Sequence, residues 1–219
     1  MKLRLNRLFS RMLSNKGYTI DQTILIVAII AILITLVIVT VGWQLINRAG
    51  GTRAGAQIKQ VEDANGAFFS DQRVWPHLAY SSPAASPANN MRALVNNGIT
   101  TWNGNITVAT LKNQLPGFKV DATNGVQHTM GSGGAVTEDD NTMSTVGTDH
   151  RIVVQFANVP VTDAQEADKA IDGTIDNKSG RLLYSASTCL GSTAGATKIP
   201  TDTPTSGVVY ICYGANSIQ

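Results

Sequence analysis

The stretch "NKGYTIDQTILIVAIIAILITLVIVTVGW", residues 15–43, decides the fold. From Ile24 to Val41 it runs 18 residues without a charge, and only Thr35 and Thr40 bring a polar side chain. Wound as a helix, that run spans ~27 Å, close to the ~30 Å hydrocarbon core of a bilayer. A secretory signal peptide is the first competing reading. Its apolar region is usually only ~7–15 residues and ends in a small-x-small cleavage site. Here the run is longer, and Gly42-Trp43-Gln44 is a poor site. A buried core helix is the second, and it is disfavoured because every face of this helix is apolar. The stretch reads as a transmembrane anchor.

The charges are segregated around it. Of 17 basic residues, Lys2, Arg4, Arg7, Arg11 and Lys16 precede the apolar run, with no acid among residues 1–17. The positive-inside tendency then puts the N-terminus in the cytoplasm and residues 43–219 on the other side. The rest of the chain carries all 15 acids and is weakly acidic, although the whole sums to +2. It has no electrostatic footprint for nucleic acid. Hydrophobic content of 43% and 20 glycines suit a folded protein. Cys189 and Cys212 are the two cysteines. On an extracytoplasmic face two such thiols pair; in a reducing compartment they would be small buried hydrophobes. A bridge closing the intervening loop would contribute about 3 kcal/mol in the chain-entropy model.

Lys16-Gly17, then Tyr18-Thr19-Ile20, then the unbroken apolar helix together resemble the N-terminal signal of type IV pilins and type II secretion pseudopilins. The resemblance implies that a prepilin peptidase cuts between Gly17 and Tyr18, and that the new N-terminus is methylated. It also implies that the helix stores the subunit in the inner membrane before forming the core of a helical filament. The family has a glutamate at the fifth mature residue, implied to neutralise a neighbour's N-terminal ammonium. This chain has Gln22 there, with Asp21 one place earlier. Asp21 supplies that carboxylate from about 100° around the helix, or it sits among lipid headgroups and stabilises the helix N-terminus through its dipole. Two further stretches resemble pilin-like chains. One joins Phe68 or Phe69, Asp71 and Trp75-Pro76 to Ala93-Leu94-Val95; the other is Val159–Ser185.

Four segments follow: a leader at 1–17, the transmembrane or filament-core helix at 18–42, an amphipathic continuation with an aromatic-Pro connection at 43–80, and a head at 81–219. Ile58, Val61, Asn65 and Phe68 share a helical face. Gly50-Gly51 costs ~2 kcal/mol of helix propensity and predicts a bend or melted turn. "SSPAASPANN" (81–90) reads as a surface loop, with a short helix at 91–97. Asn124-Gly125 marks a hairpin, and "RIVVQFA" (151–157), "RLLYSAS" and "GVVYICY" read as strands. "TDAQEADKAI" reads as a helix with Thr162 and Gln165 in capping-box spacing and Ala164, Ala167 and Ile171 inward. The fold class is α+β: a long N-terminal helix on a small antiparallel sheet, pilin-like.

No constellation for catalysis emerges, so the chain reads as a non-enzyme without a cofactor. His77, His128 and His150 match no metal-ligand spacing. "GSGG" at 131–134 lacks the ending of a phosphate-binding loop and reads as flexible loop. "EDDN" (Glu138–Asn141) offers hard oxygens to calcium but lacks EF-hand spacing, and reads as a solvated acidic loop. Three functions are weighed. One is a structural pilus subunit that assembles with copies of itself or with other pilins. The next is a pseudopilin or minor pilin whose head binds a surface, DNA or cargo. The last is a membrane-anchored enzyme.

Overall fold

The computed structural model describes residues 20–79, 87–95, 102–104, 106–107, 109, 111–121, 125–148, 150–190 and 196–218. The chain divides into two units, residues 1–45 and residues 46–219. Helix α1 (Ile20–Gln72, 53 residues) supplies the described part of the first and opens the second.

In the second unit α1 buries one stripe: Ala54, Ile58, Val61, Asn65, Phe68 and Gln72, spaced alternately by four and three. That is the 3.6-residue repeat of a helix lying along a core. The stripe joins a hydrophobic cluster with the inward residues of a sheet, among them Val126, Val136, Ile152, Val154, Phe156 and Ile211. The helix stops at Gln72 because Arg73 takes a left-handed φ of 59°, its N–H reaching the Phe69 carbonyl at 2.8 Å. The Phe69 ring then stacks on Trp75 at 4.4 Å, and a 3-10 turn (Pro76–Leu78) follows. Helix α2 runs from Pro87 to Val95. It therefore begins inside the stretch expected as loop, with proline in the first helical position, where its missing N–H costs nothing. Residues 80–86 of that loop lie outside the described residues.

Among the described residues six strands form the sheet: β1 (Lys119–Asp121), β2 (Gly125–His128), β3 (Gly134–Thr142), β4 (His150–Pro160), β5 (Leu182–Ser185) and β6 (Val208–Ser217). Their order is β1-β2-β3-β4-β6-β5, and every pairing is antiparallel. Helix α3 (Val161–Asp172) leaves β4 directly. The fold class is thus α+β, with an apolar N-terminal helix and a small antiparallel sheet. The expected hairpin is the β1–β2 connection, with Gly125 at φ 76° and Asn124 outside the described residues.

Several local expectations are corrected. Helical structure continues through Gly50 and Gly51, with no melted turn. The two glycines serve close approach instead. A Cβ on Gly50 would collide with the Asp163 carboxylate of α3, and one on Gly51 with the Glu166 side chain. Residues 130–133 form a tight turn closed by Gly133 N–H to Met130 O at 2.8 Å, so "GSGG" is ordered into the β2–β3 connection. Gly134 already belongs to β3, where a Cβ would meet the Ala157 carbonyl and the His128 ring. Thr162 does not cap α3. Pro160 holds the N-cap position without a side-chain bond, because the strand feeds the helix without an intervening loop. Ala164 and Ala167 are buried as expected, with Ile171 half-buried against the cluster.

Candidate functional site

Residues Ile20–Gly42 form the one segment, among the described residues, long and apolar enough to cross a membrane, with mean hydropathy 3.4 and no buried residue. At 1.5 Å per residue it covers about 34 Å, enough for a ~30 Å core. Its side chains from Ile24 through Val41 are exposed. Apolar surroundings demand that every polar group be satisfied from within. The two hydroxyls between Ile24 and Val41 comply: Thr35 Oγ1 donates to Ala31 O at 2.8 Å, and Thr40 Oγ1 to Leu36 O at 3.1 Å and Val37 O at 3.0 Å. Ala31, Ile32, Thr35, Leu36, Val39 and Thr40 line a shallow groove along this surface. Asp21 and Gln22 lie in its first turn, both exposed. Gly17 and Tyr18 lie outside the described residues.

Cys189 and Cys212 form a disulfide with Cα atoms 6.2 Å apart, an ordinary span. The bridge packs with Val153 and Leu190 in a second cluster on the far side of the sheet. Gln155 Oε1 anchors the segment that follows β5 by accepting from Thr188 Oγ1 at 2.6 Å and from the N–H groups of Cys189 and Leu190 at 3.1 and 3.3 Å.

The acidic stretch Glu138–Asn141 is not a solvated loop. It lies within β3, registered against Val154, Val153, Ile152 and Arg151 of β4. Strand alternation sends Glu138 and Asp140 to one face and Asp139 and Asn141 to the other, so the four do not converge on one ion. Glu138 and Asn141 are wholly buried. The structure also gathers what the sequence separates. His150 Nδ1 meets Asp140 Oδ1 at 2.7 Å. His77 lies within electrostatic reach of both Asp139 and Asp140. Burial holds the His77 imidazole below its usual pKa, against the pull of those two acids. Among the described residues no group of three or more His, Cys, Asp or Glu is placed to hold a metal ion. His128 is apart and fully buried. Its Nδ1 accepts from Met130 N–H at 3.1 Å, so Nε2 carries the hydrogen and donates to the Ala157 carbonyl.

A polar clamp that the sequence reading missed ties α1 to the last strand. Glu62 accepts from Arg181 Nη2 at 2.8 Å, Lys59 Nζ at 2.9 Å and Tyr213 Oη at 2.8 Å. Arg181 also donates to the carbonyls of Gly214 and Ala215, with its guanidinium 4.8 Å from the Tyr213 ring centre. Burial pushes the Glu62 carboxyl up, but the three donors outweigh it and hold its pKa below the ordinary value.

Comparison with family models, with curated proteins and with solved structures gives no match to this chain.

Proposed function

We propose that this chain is a structural subunit of a type IV pilus or a related pilin-like filament. One observation carries the reading. The membrane-length apolar segment and the helix that forms the core stripe of the head are the same helix, α1. A signal anchor needs no such continuity, whereas a subunit that must pass from bilayer to filament needs its anchor built into its fold. The anchor suits both solvents. It exposes apolar side chains on every face, and its threonines bond to their own backbone. Small residues such as Ala31 and Thr35 let a neighbouring helix approach closely.

In this reading the basic leader keeps the N-terminus in the cytoplasm, and a prepilin peptidase removes residues 1–17 there. The head folds on the extracytoplasmic side, where the Cys189–Cys212 bridge forms. Mature subunits wait in the inner membrane until assembly machinery draws them into a filament of identical or related copies. The test is to shear filaments from cells carrying the assembly genes and probe the released fraction. The protein is expected there, and only while the assembly ATPase is present. Protein confined to the membrane in both strains would overturn the reading. A trace confined to filament tips would identify a minor subunit with a binding head, and a short periplasmic filament would identify a pseudopilin.

A further inference from the structure

Glu138 is buried to zero exposure between α1 and the sheet. Its Oε2 accepts from Asn65 Nδ2 of α1 at 3.1 Å. Asn90 Nδ2 of α2 donates to its backbone carbonyl at 2.8 Å. Val154 is its cross-strand neighbour on β4. Two oxygens of the side-chain pair remain without a partner: Glu138 Oε1 and Asn65 Oδ1. As drawn, both are acceptors, and a carboxylate with one neutral donor in a dry interior is among the costliest arrangements a protein can hold. A single proton resolves both. Placed on Oε1, it makes a hydroxyl that donates to Asn65 Oδ1, while Asn65 Nδ2 continues to donate to Oε2.

We infer that Glu138 is held as a neutral acid in the folded head and forms with Asn65 a cyclic acid–amide pair that latches α1 to β3, opening when the proton leaves. The charged surroundings agree. Arg92, half-buried, is the one charged residue of α2. Glu62, three residues before Asn65 on α1 and sharing no bond with it, is occupied by Arg181, Lys59 and Tyr213. His128 of β2 is engaged with Met130 and Ala157. Asp139, adjacent on the strand, is a like charge. Burial lifts the Glu138 carboxyl to about 8, with the Asn65 amide opposing and Asp139 adding to the rise.

The sign follows from that direction. A carboxyl raised in the folded state contributes stability that is complete below its unfolded pKa and is lost as pH rises through the folded one. The window is therefore from 4.5 to about 8. Across it the folding equilibrium weakens by on the order of a thousandfold. Glu138→Gln keeps the shape and replaces the O–H by an N–H on the same side of the ring, so the latch no longer depends on a proton.

The experiment uses the full chain in detergent micelles. Infrared difference spectra of wild type minus Glu138→Gln at pH 6 should contain a protonated-carboxyl carbonyl band. Denaturant unfolding should give a stability advantage of the variant over wild type that grows steadily from pH 5 to pH 8. Absence of the acid band would overturn the inference, as would a difference between the two proteins that is constant across that range. Failure of Glu138→Gln to fold at pH 6 would also overturn it, because glutamine supplies the donor the pair requires.

Discussion

Glu62 takes three donors at once, from its own helix through Lys59 and from the other end of the chain through Arg181 and Tyr213. Glu62→Gln keeps the volume but loses the charge that Arg181 and Lys59 answer. Both partners are partly exposed, so the expected loss is about 2 kcal/mol rather than the figure for a fully buried pair. The midpoint of urea unfolding measures it. The folded pKa of Glu62 lies below its unfolded one. The wild-type advantage is therefore present above the unfolded value of 4.5 and shrinks as pH falls below it. At the other end of α1, Asp21 is an exposed acid in the first turn, and in the proposed filament it would meet a neighbour's N-terminal ammonium. Asp21→Asn should leave membrane insertion intact and sharply reduce filament incorporation, because an unpaired ammonium in an apolar core costs several kcal/mol. Adding Gln22→Glu should restore it. Undiminished incorporation of Asp21→Asn would reduce Asp21 to an interfacial helix cap.

The elements divide into those with a local signal and those without. The α1 stripe was legible because Ile58, Val61, Asn65 and Phe68 repeat at the helical period, and all four are buried. Strands β4, β5 and β6 were legible from their apolar runs, and the cysteine pair from its count and the expected compartment. Strand β3 was not. Its acidic centre has the composition of a loop, and only pairing with β4 on one side and β2 on the other holds it extended. The Glu62–Arg181 contact spans 119 residues and leaves no trace in local pattern. The glycine pair misled because propensity names the cost of Gly50 and Gly51 but not the neighbour that requires them. Gly51→Ala, a gain of about 1 kcal/mol by propensity, should instead destabilise the head by 1–3 kcal/mol, roughly the cost of overpacking against Glu166. Thermal unfolding decides the sign. Reducing Cys189–Cys212 should cost about 3 kcal/mol by releasing the loop it closes. The loss is read from denaturation of paired oxidised and reduced samples.

For the molecule as a whole, the apolar helix and the head built on the same helix form, in the proposed function, one device: an anchor that would become a filament core. Under that proposal the basic leader is removed and the apolar helix stays. Under the same proposal the peptidase approaches the backbone at Gly17, which has no Cβ, so a larger residue there should block cutting. The decisive measurement is the intact mass and N-terminal sequence of the protein isolated from cells that carry the assembly genes. The expected result is a chain that begins at N-methylated Tyr18 and retains residues 18–42. A mature chain that begins at Met1, or one cut after residue 42, would contradict it.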